Sequence, residues 1–370
     1  MLPRATFRRP RRHPRALPLP LLLPLFIPAC VDTAVDPPDT ESDTSDPLDD
    51  ADHPSALEPT SSALAPQELC PQPDVELLPA APAPLRRILQ LDDGLFALDA
   101  DDRLVTLDGG AWQVLWHFDA ATRDLWGTSP EDLLIAIDDW SAASGVHRFS
   151  GGIAVPMPSQ VSPELRRTLH LRALAGAGAE RWAAGSLTHP TCEGPECQDP
   201  GEIPVLLRDD GERWQIVRQA FAGTAVNDLA WVDGTLVAVT DAALVRLQDG
   251  AWHDTPANLW DTPELHAAAP DDLFIAQIGG PGLFRSDGDA FTWLPSRYST
   301  WTALAGRGPL LWFSGRDHVT GGESVYRFDG RRTTAVLDAP SPTLQLQAIP
   351  HGALVLTEDG RLRRLRGPAA

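Results

Sequence analysis

The 370-residue sequence contains no lysine: all 30 basic residues are arginines, set against 51 aspartates and glutamates for a net charge of −21. A surface this acidic repels phosphate backbones and anionic headgroups, so nucleic acid and anionic lipid are disfavoured as partners. Cysteine is scarce, at four residues, and tyrosine and methionine occur twice each. No G-x-S-x-G, H-E-x-x-H or P-loop pattern is present, which removes the commonest hydrolase and nucleotide-binding signatures.

What is present begins with a basic, apolar head. Arg4, Arg8, Arg9, Arg11, Arg12 and Arg15 precede an apolar run, Ala16 to Phe26, that ends in Ile27-Pro28-Ala29-Cys30. Eleven residues are too few for a helix spanning a bilayer, which needs ~20. The order of charge, apolar run and small residue is that of an export signal over residues 1–29. It resembles the lipobox of bacterial lipoproteins, which implies lipid attachment at Cys30 and membrane association through that lipid. Residues 31–74 then carry twelve acids and no lysine or arginine, mixed with proline, serine and threonine. Such a segment buries too little apolar surface to offset ordering entropy, so residues 30–74 read as a disordered tether.

From residue 75 onward one unit recurs. Its clearest copy is Leu236 to Trp252: an apolar β-branched strand, a break near Asp241, a second strand, then Asp249-Gly250 and a third. Asp-Gly favours a type I′ hairpin turn, because both central residues need positive φ. First strands of such pairs centre near Leu95, Leu133, Trp182, Leu236, Leu273, Leu311 and Leu354. A further apolar run precedes most pairs, as in 124–130, 265–270, 302–308 and 346–350. Four short strands in ~40 residues is the period of a propeller blade, which must stack on neighbours to bury its faces. The expected fold is therefore an all-β, seven-bladed β-propeller over residues 75–370. The seventh copy ends after its third strand, and Val75 to Leu78 is expected to pair outside Arg361 to Leu365 and close the ring.

Leu125-Trp126-Gly127-Thr128-Ser129-Pro130-Glu131-Asp132-Leu133 resembles a repeat of secreted bacterial propeller proteins, W-G-S-S-P-x-D-L/V followed by a hairpin and D-G-x-x-W. The resemblance implies a propeller and no particular activity. WD40 marks are absent, and Ser286 to Trp293 matches the Asp-box of sialidase-like propellers only at Ser286, Thr292 and Trp293. In organisation the chain is similar to propeller lipoproteins that assist outer-membrane protein assembly.

Cys192 and Cys197 bracket Glu-Gly-Pro-Glu in a long excursion. In an exported chain a local disulfide is expected; a zinc site with His189 is the rival, although the CxxC spacing is missing. Cys70 is left odd, as a free thiol or an intermolecular link. Asp99, Asp101 and Asp102, and likewise Asp287 and Asp289, could hold calcium or simply shape turns; no other cofactor is expected. Trp112, Trp214, Trp252 and Trp293 follow the repeated turn and read as packing between blades. Trp260, Arg297, Tyr298 and Trp301 fall in connections between blades, and Trp140, Arg316 and His318 in loops between middle strands. Both loop sets emerge on one face, so these residues form a candidate binding surface, or else pack under loops. The expected function is a non-catalytic, monomeric, lipid-anchored envelope module that binds protein or glycan. The alternative is a propeller enzyme acting on polysaccharide or peptidoglycan through carboxylates at the channel mouth.

Overall fold

The computed structural model describes residues 74–138, 144–188, 201–219, 221–259, 262–280, 282–294, 298–307, 310–317, 321–330 and 333–366. The expected signal, nearly all of the tether and all four cysteines lie outside these residues.

After β1 (Asp74–Leu77) the chain runs in groups of antiparallel strands. The first two groups are β2 (Leu85–Leu91), β3 (Gly94–Asp99), β4 (Arg103–Asp108) and β5 (Ala111–His117), then β6 (Thr122–Ser129), β7 (Asp132–Ile137), β8 (Gly145–Ser150) and β9 (Ile153–Pro156). A single helical turn, α1 (Pro163–Arg166), capped by the Ser162 hydroxyl, leads into β10 (Leu169–Ala177), β11 (Glu180–Thr188), β12 (Glu202–Asp209) and β13 (Trp214–Gln219). Next come β14 (Val226–Val232), β15 (Thr235–Thr240), β16 (Ala243–Gln248) and β17 (Ala251–Pro256). They are followed by β18 (Thr262–Ala269), β19 (Asp272–Ile278), β20 (Leu283–Ser286) and β21 (Phe291–Trp293). β22 (Tyr298–Arg307), β23 (Leu310–Asp317), β24 (Glu323–Phe328) and β25 (Thr333–Ala339) precede β26 (Thr343–Ile349), β27 (Gly352–Thr357) and β28 (Leu362–Arg366).

Five separate four-stranded sheets result, the fifth built from β26, β27, β28 and β1. β18 to β25 form one eight-stranded sheet, so the structure resolves five separate blades where the repeats predict seven. The cause is local: Trp301 in β22 pairs in parallel with Ile278 of β19, and its backbone bonds Gly279 and Gly280. That one contact joins β18–β21 to β22–β25.

Side chains on a strand alternate between faces, and here both faces of the middle strands are covered. Every residue of β15 and of β27 is buried, which explains their nearly continuous apolar sequences. The apolar clusters lie between consecutive groups. Leu134, Ala136 and Val146 meet Leu169, Leu171 and Trp214 in one, and Phe274 and Leu283 meet Trp301 and Phe313 in another. A further cluster joins Leu354, Leu356 and Leu362 at the end of the chain to Leu85, Ile88 and Leu95 at its start, so the innermost strands form a closed ring.

At the Asp249-Gly250 turn both residues have positive φ, +51° and +77°, as a type I′ turn requires. β1 pairs antiparallel with β28, from Asp74 opposite Arg366 to Leu77 opposite Arg363. Glu76 adds ion pairs to Arg364 (3.4 Å) and Arg366 (2.6 Å). First and last segments are thereby tied together, and the outer edge of β28 is covered.

Trp214 is buried between two sheets, and Trp112 and Trp252 pack at such junctions. Trp293 departs from expectation: it is 53 % exposed, with its ring on Phe284 of its own group (5.4 Å). The aspartate groups serve turns. Asp99 accepts from the backbone of Asp101 and Arg103, Asp102 from Thr122, and Asp287 from Asp289 and Ala290. Among the described residues no set of three or more His, Cys, Asp or Glu is arranged to hold a metal.

Candidate functional site at the channel mouth

The innermost strands repeat one device. In β2, β6, β10, β14, β22 and β26 the pairing register shifts immediately before Arg87, Asp124, Ala173, Asp228, Ala303 and Gln345. A bulge re-aims the side chain that follows it, and where that side chain is an acceptor it bonds the backbone of the next inner strand. Asp124 accepts from Leu174 N–H (2.7 Å), Asp228 from Leu265 N–H (2.8 Å), and Gln345 from Ile88 N–H across the ring closure (2.7 Å). β18 has no shift at this place and carries Glu264, one methylene longer, which accepts from Leu304 N–H (2.7 Å).

Packing these carboxyls into the channel changes their acidity. Burial is the main cause raising the pKa of Asp228 to about 7, opposed by the two backbone N–H groups and increased by Asp124. Glu264 is likewise raised to about 7, by burial first and then by Asp228, with Arg87 and Leu304 N–H pulling the other way. Burial also raises Asp124, which Arg87 partly offsets. Arg87, 3.7 Å from Asp124, is therefore the cation that balances this inner set.

At the end of the channel where the innermost strands begin, a cavity of about 490 Å³ opens. Its wall holds two prearranged groups. Asp138, at the end of β7, takes His170 Nδ1 on one oxygen (2.9 Å) and Arg123 Nε on the other (3.1 Å). Arg172 reaches Asn227 (2.8 Å) and Glu202 (3.0 Å). Asp138 and His170 are nearly buried, whereas Arg123 is half exposed, so a fixed base carries an accessible guanidinium. Arg87 and Glu264 also line the cavity. The arrangement can hold a polar or anionic group by charge-assisted bonds, and Glu264 could exchange a proton near neutrality.

This mouth is on the face bearing the connections between groups and the loops between middle strands, the face chosen from sequence, but different residues build it. Trp140, Trp260, Arg297 and His318 lie outside the described residues. Tyr298 opens β22, opposite Asp317, rather than sitting in a connection. Trp301 is a correction: it is 1 % exposed inside β22, edge-on to Phe313 at 5.0 Å, and belongs to the core. Arg316 is exposed at the end of β23, in register with Glu323, not in a loop. Sequence reasoning missed Arg87, Arg123, Asp138, His170 and Arg172. The visible signal was a charged residue directly before the inner-strand Leu or Ile: Arg87, Asp124, Asp228, Glu264.

Fold and site together define a β-propeller with a charged channel mouth. No family model and no curated protein matches the chain. Solved structures do: virginiamycin B lyase from Staphylococcus aureus has 14 % identity and a TM-score of 0.60, over 79 % of this chain and 99 % of that one. The WD40 beta propeller domain of Doa1 has 14 % identity and a TM-score of 0.54, over 79 % and 95 %. PorZ, an essential bacterial surface component of the type-IX secretion system of Porphyromonas gingivalis, has 16 % identity and a TM-score of 0.51, over 80 % and 39 %. At these identities the likeness is one of fold.

Proposed function

We propose that the chain is an exported envelope propeller, anchored by lipid at Cys30, whose channel mouth binds a protein or glycan partner without transforming it. The observation that carries this reading is the prearranged wall of the mouth. Arg123 is held by Asp138, and Arg172 by Glu202 and Asn227, so polar groups are presented at little further cost in side-chain ordering. In this reading the eight-stranded sheet counts as two adjoining blades of a seven-bladed ring, which is supported by the apolar cluster that packs β19 and β20 against β22, β23 and β24. A structural neighbour that is a bacterial surface component agrees with an envelope setting.

The test is a screen of the exported protein against envelope glycans and proteins, scored for both binding and turnover. Saturable binding without turnover, weakened tenfold or more in Arg123→Ala, is expected; binding indifferent to that change refutes the mouth as the site. Labelled palmitate should enter the wild-type protein and not Cys30→Ala, and equal labelling and membrane fractionation of the two would refute the anchor.

A second reading, an enzyme acting on polysaccharide or peptidoglycan, draws on Glu264, a carboxyl in the mouth with a pKa of about 7. Turnover that Glu264→Gln abolishes while binding persists would replace the first reading with this one.

A further inference from the structure

At the other end of the innermost strands a second cleft, of about 760 Å³, opens between the β2–β3 turn, the end of β22, the β26–β27 turn and the end of β28. Among the described residues three arginines line it, Arg307, Arg364 and Arg366, with His351 beside them and Asp92 the one carboxylate. Glu76 of the closing strand approaches from outside and takes part of the charge of Arg364 and Arg366. Arg307 pairs with Leu310 through the strand backbone, but its exposed guanidinium makes no hydrogen bond or ion pair with a described residue. In a chain where carboxylates outnumber arginines 51 to 30, a cleft in which guanidiniums exceed carboxylates runs against the bulk charge.

We propose that this cleft is a second binding site, which takes a small ligand by a carboxylate group seated on Arg307, with Arg364 and Arg366 as the opposite wall. A guanidinium offers paired N–H donors in a planar fork that matches a carboxylate, and an unpaired fork in a concave site is ready to accept one. Glu76 shows that the Arg364 and Arg366 wall accepts a carboxylate oxygen, at 2.6 Å from Arg366. A carboxylate also suits the molecule better than a phosphate, because a net charge of −21 repels a doubly charged ion more strongly than a singly charged one. The site stands apart from the channel-mouth reading, since the two lie at opposite ends of the innermost strands and share no lining residue.

Isothermal titration of the full chain at low ionic strength with glucuronate, glutarate and glucose tests this. At least one of the two acids should bind saturably and glucose should not. Arg307→Gln should weaken the acid at least tenfold with unchanged thermal melting, because the Arg307 guanidinium supports no described residue. Arg123→Ala, at the other mouth, should leave the affinity within twofold, which separates failure of this site from failure of that one. Binding of both acids identifies the carboxylate as sufficient; binding of glucuronate alone identifies an acidic sugar as the source. The proposal is overturned if neither acid saturates, if glucose binds equally well, or if Arg307→Gln binds like the wild type.

Discussion

Glu264 joins one inner strand to the next and is half protonated near neutral pH, so its two roles pull against each other. A carboxyl whose folded pKa is raised to about 7, from ~4.3 when unfolded, binds more protons in the folded state throughout that interval. Its stabilising contribution is complete below the unfolded value and is lost as pH rises through 7. Asp228 has the same sign and faces Asp124, Glu264 and Arg87 across the channel. Exposed turn aspartates such as Asp210 and Asp287, held low by backbone N–H groups, act oppositely but complete their change below about pH 5. The melting temperature should therefore fall between pH 5 and pH 8. Glu264→Gln keeps an oxygen for Leu304 N–H while removing the charge, so it should flatten part of this fall and melt higher than the wild type at pH 8. A wild-type melting temperature that rises across this range would refute the assignment.

At the scale of the strand, much of the fold was written in the sequence and the reasons are particular. β3, β7, β11, β15, β19, β23 and β27 fall on the predicted first strands because their central residues are covered on both faces and are therefore mostly apolar or small. The start of β22, Tyr298 to Trp301, reads as a connection in the sequence for the opposite reason. Its register shifts twice, between Tyr298 and Thr300 and between Trp301 and Ala303, which erases the period-two pattern and makes a core tryptophan look like a loop residue. The mouth was illegible in another way: Arg123, Asp138, His170 and Arg172 belong to three strand ends or starts, brought together only by the ring. The two tryptophans on which the reading erred supply a paired prediction. Trp301→Ala should cost about 3–5 kcal/mol through the cavity it leaves, lowering the melting temperature by on the order of 10 °C. Trp293→Ala, on the rim, should stay within about 1 kcal/mol. Equal losses measured by denaturant titration would contradict the placement of both.

At the scale of the whole molecule, the ring is held by unequal means at its many junctions and its one closure. Between consecutive groups the chain itself supplies the connection, so loss of a contact is limited by covalent continuity. Between the last group and the first, the hold is the four-residue ladder of β1 on β28, the Glu76 ion pairs, the apolar cluster around Leu85 and Leu354, and the glutamine bonds from Gln345 and Gln347 to the backbone of β2. Leu78, also buried in that cluster, follows directly after β1 and bonds Leu362 through its backbone N–H. Removing residues 31–69 leaves every described residue in place, so the melting temperature should stay within about 2 °C of the wild type, under the equivalent of 1 kcal/mol. Removing residues 31–79 deletes β1 and Leu78, exposes the outer edge of β28 along Leu362 to Arg366 and leaves Arg364 and Arg366 without Glu76. That protein should melt far lower and aggregate on heating, because an unpaired strand edge is a template for association. Thermal scans of the two truncations side by side decide the matter: coincident transitions would mean that β1 does not close the ring.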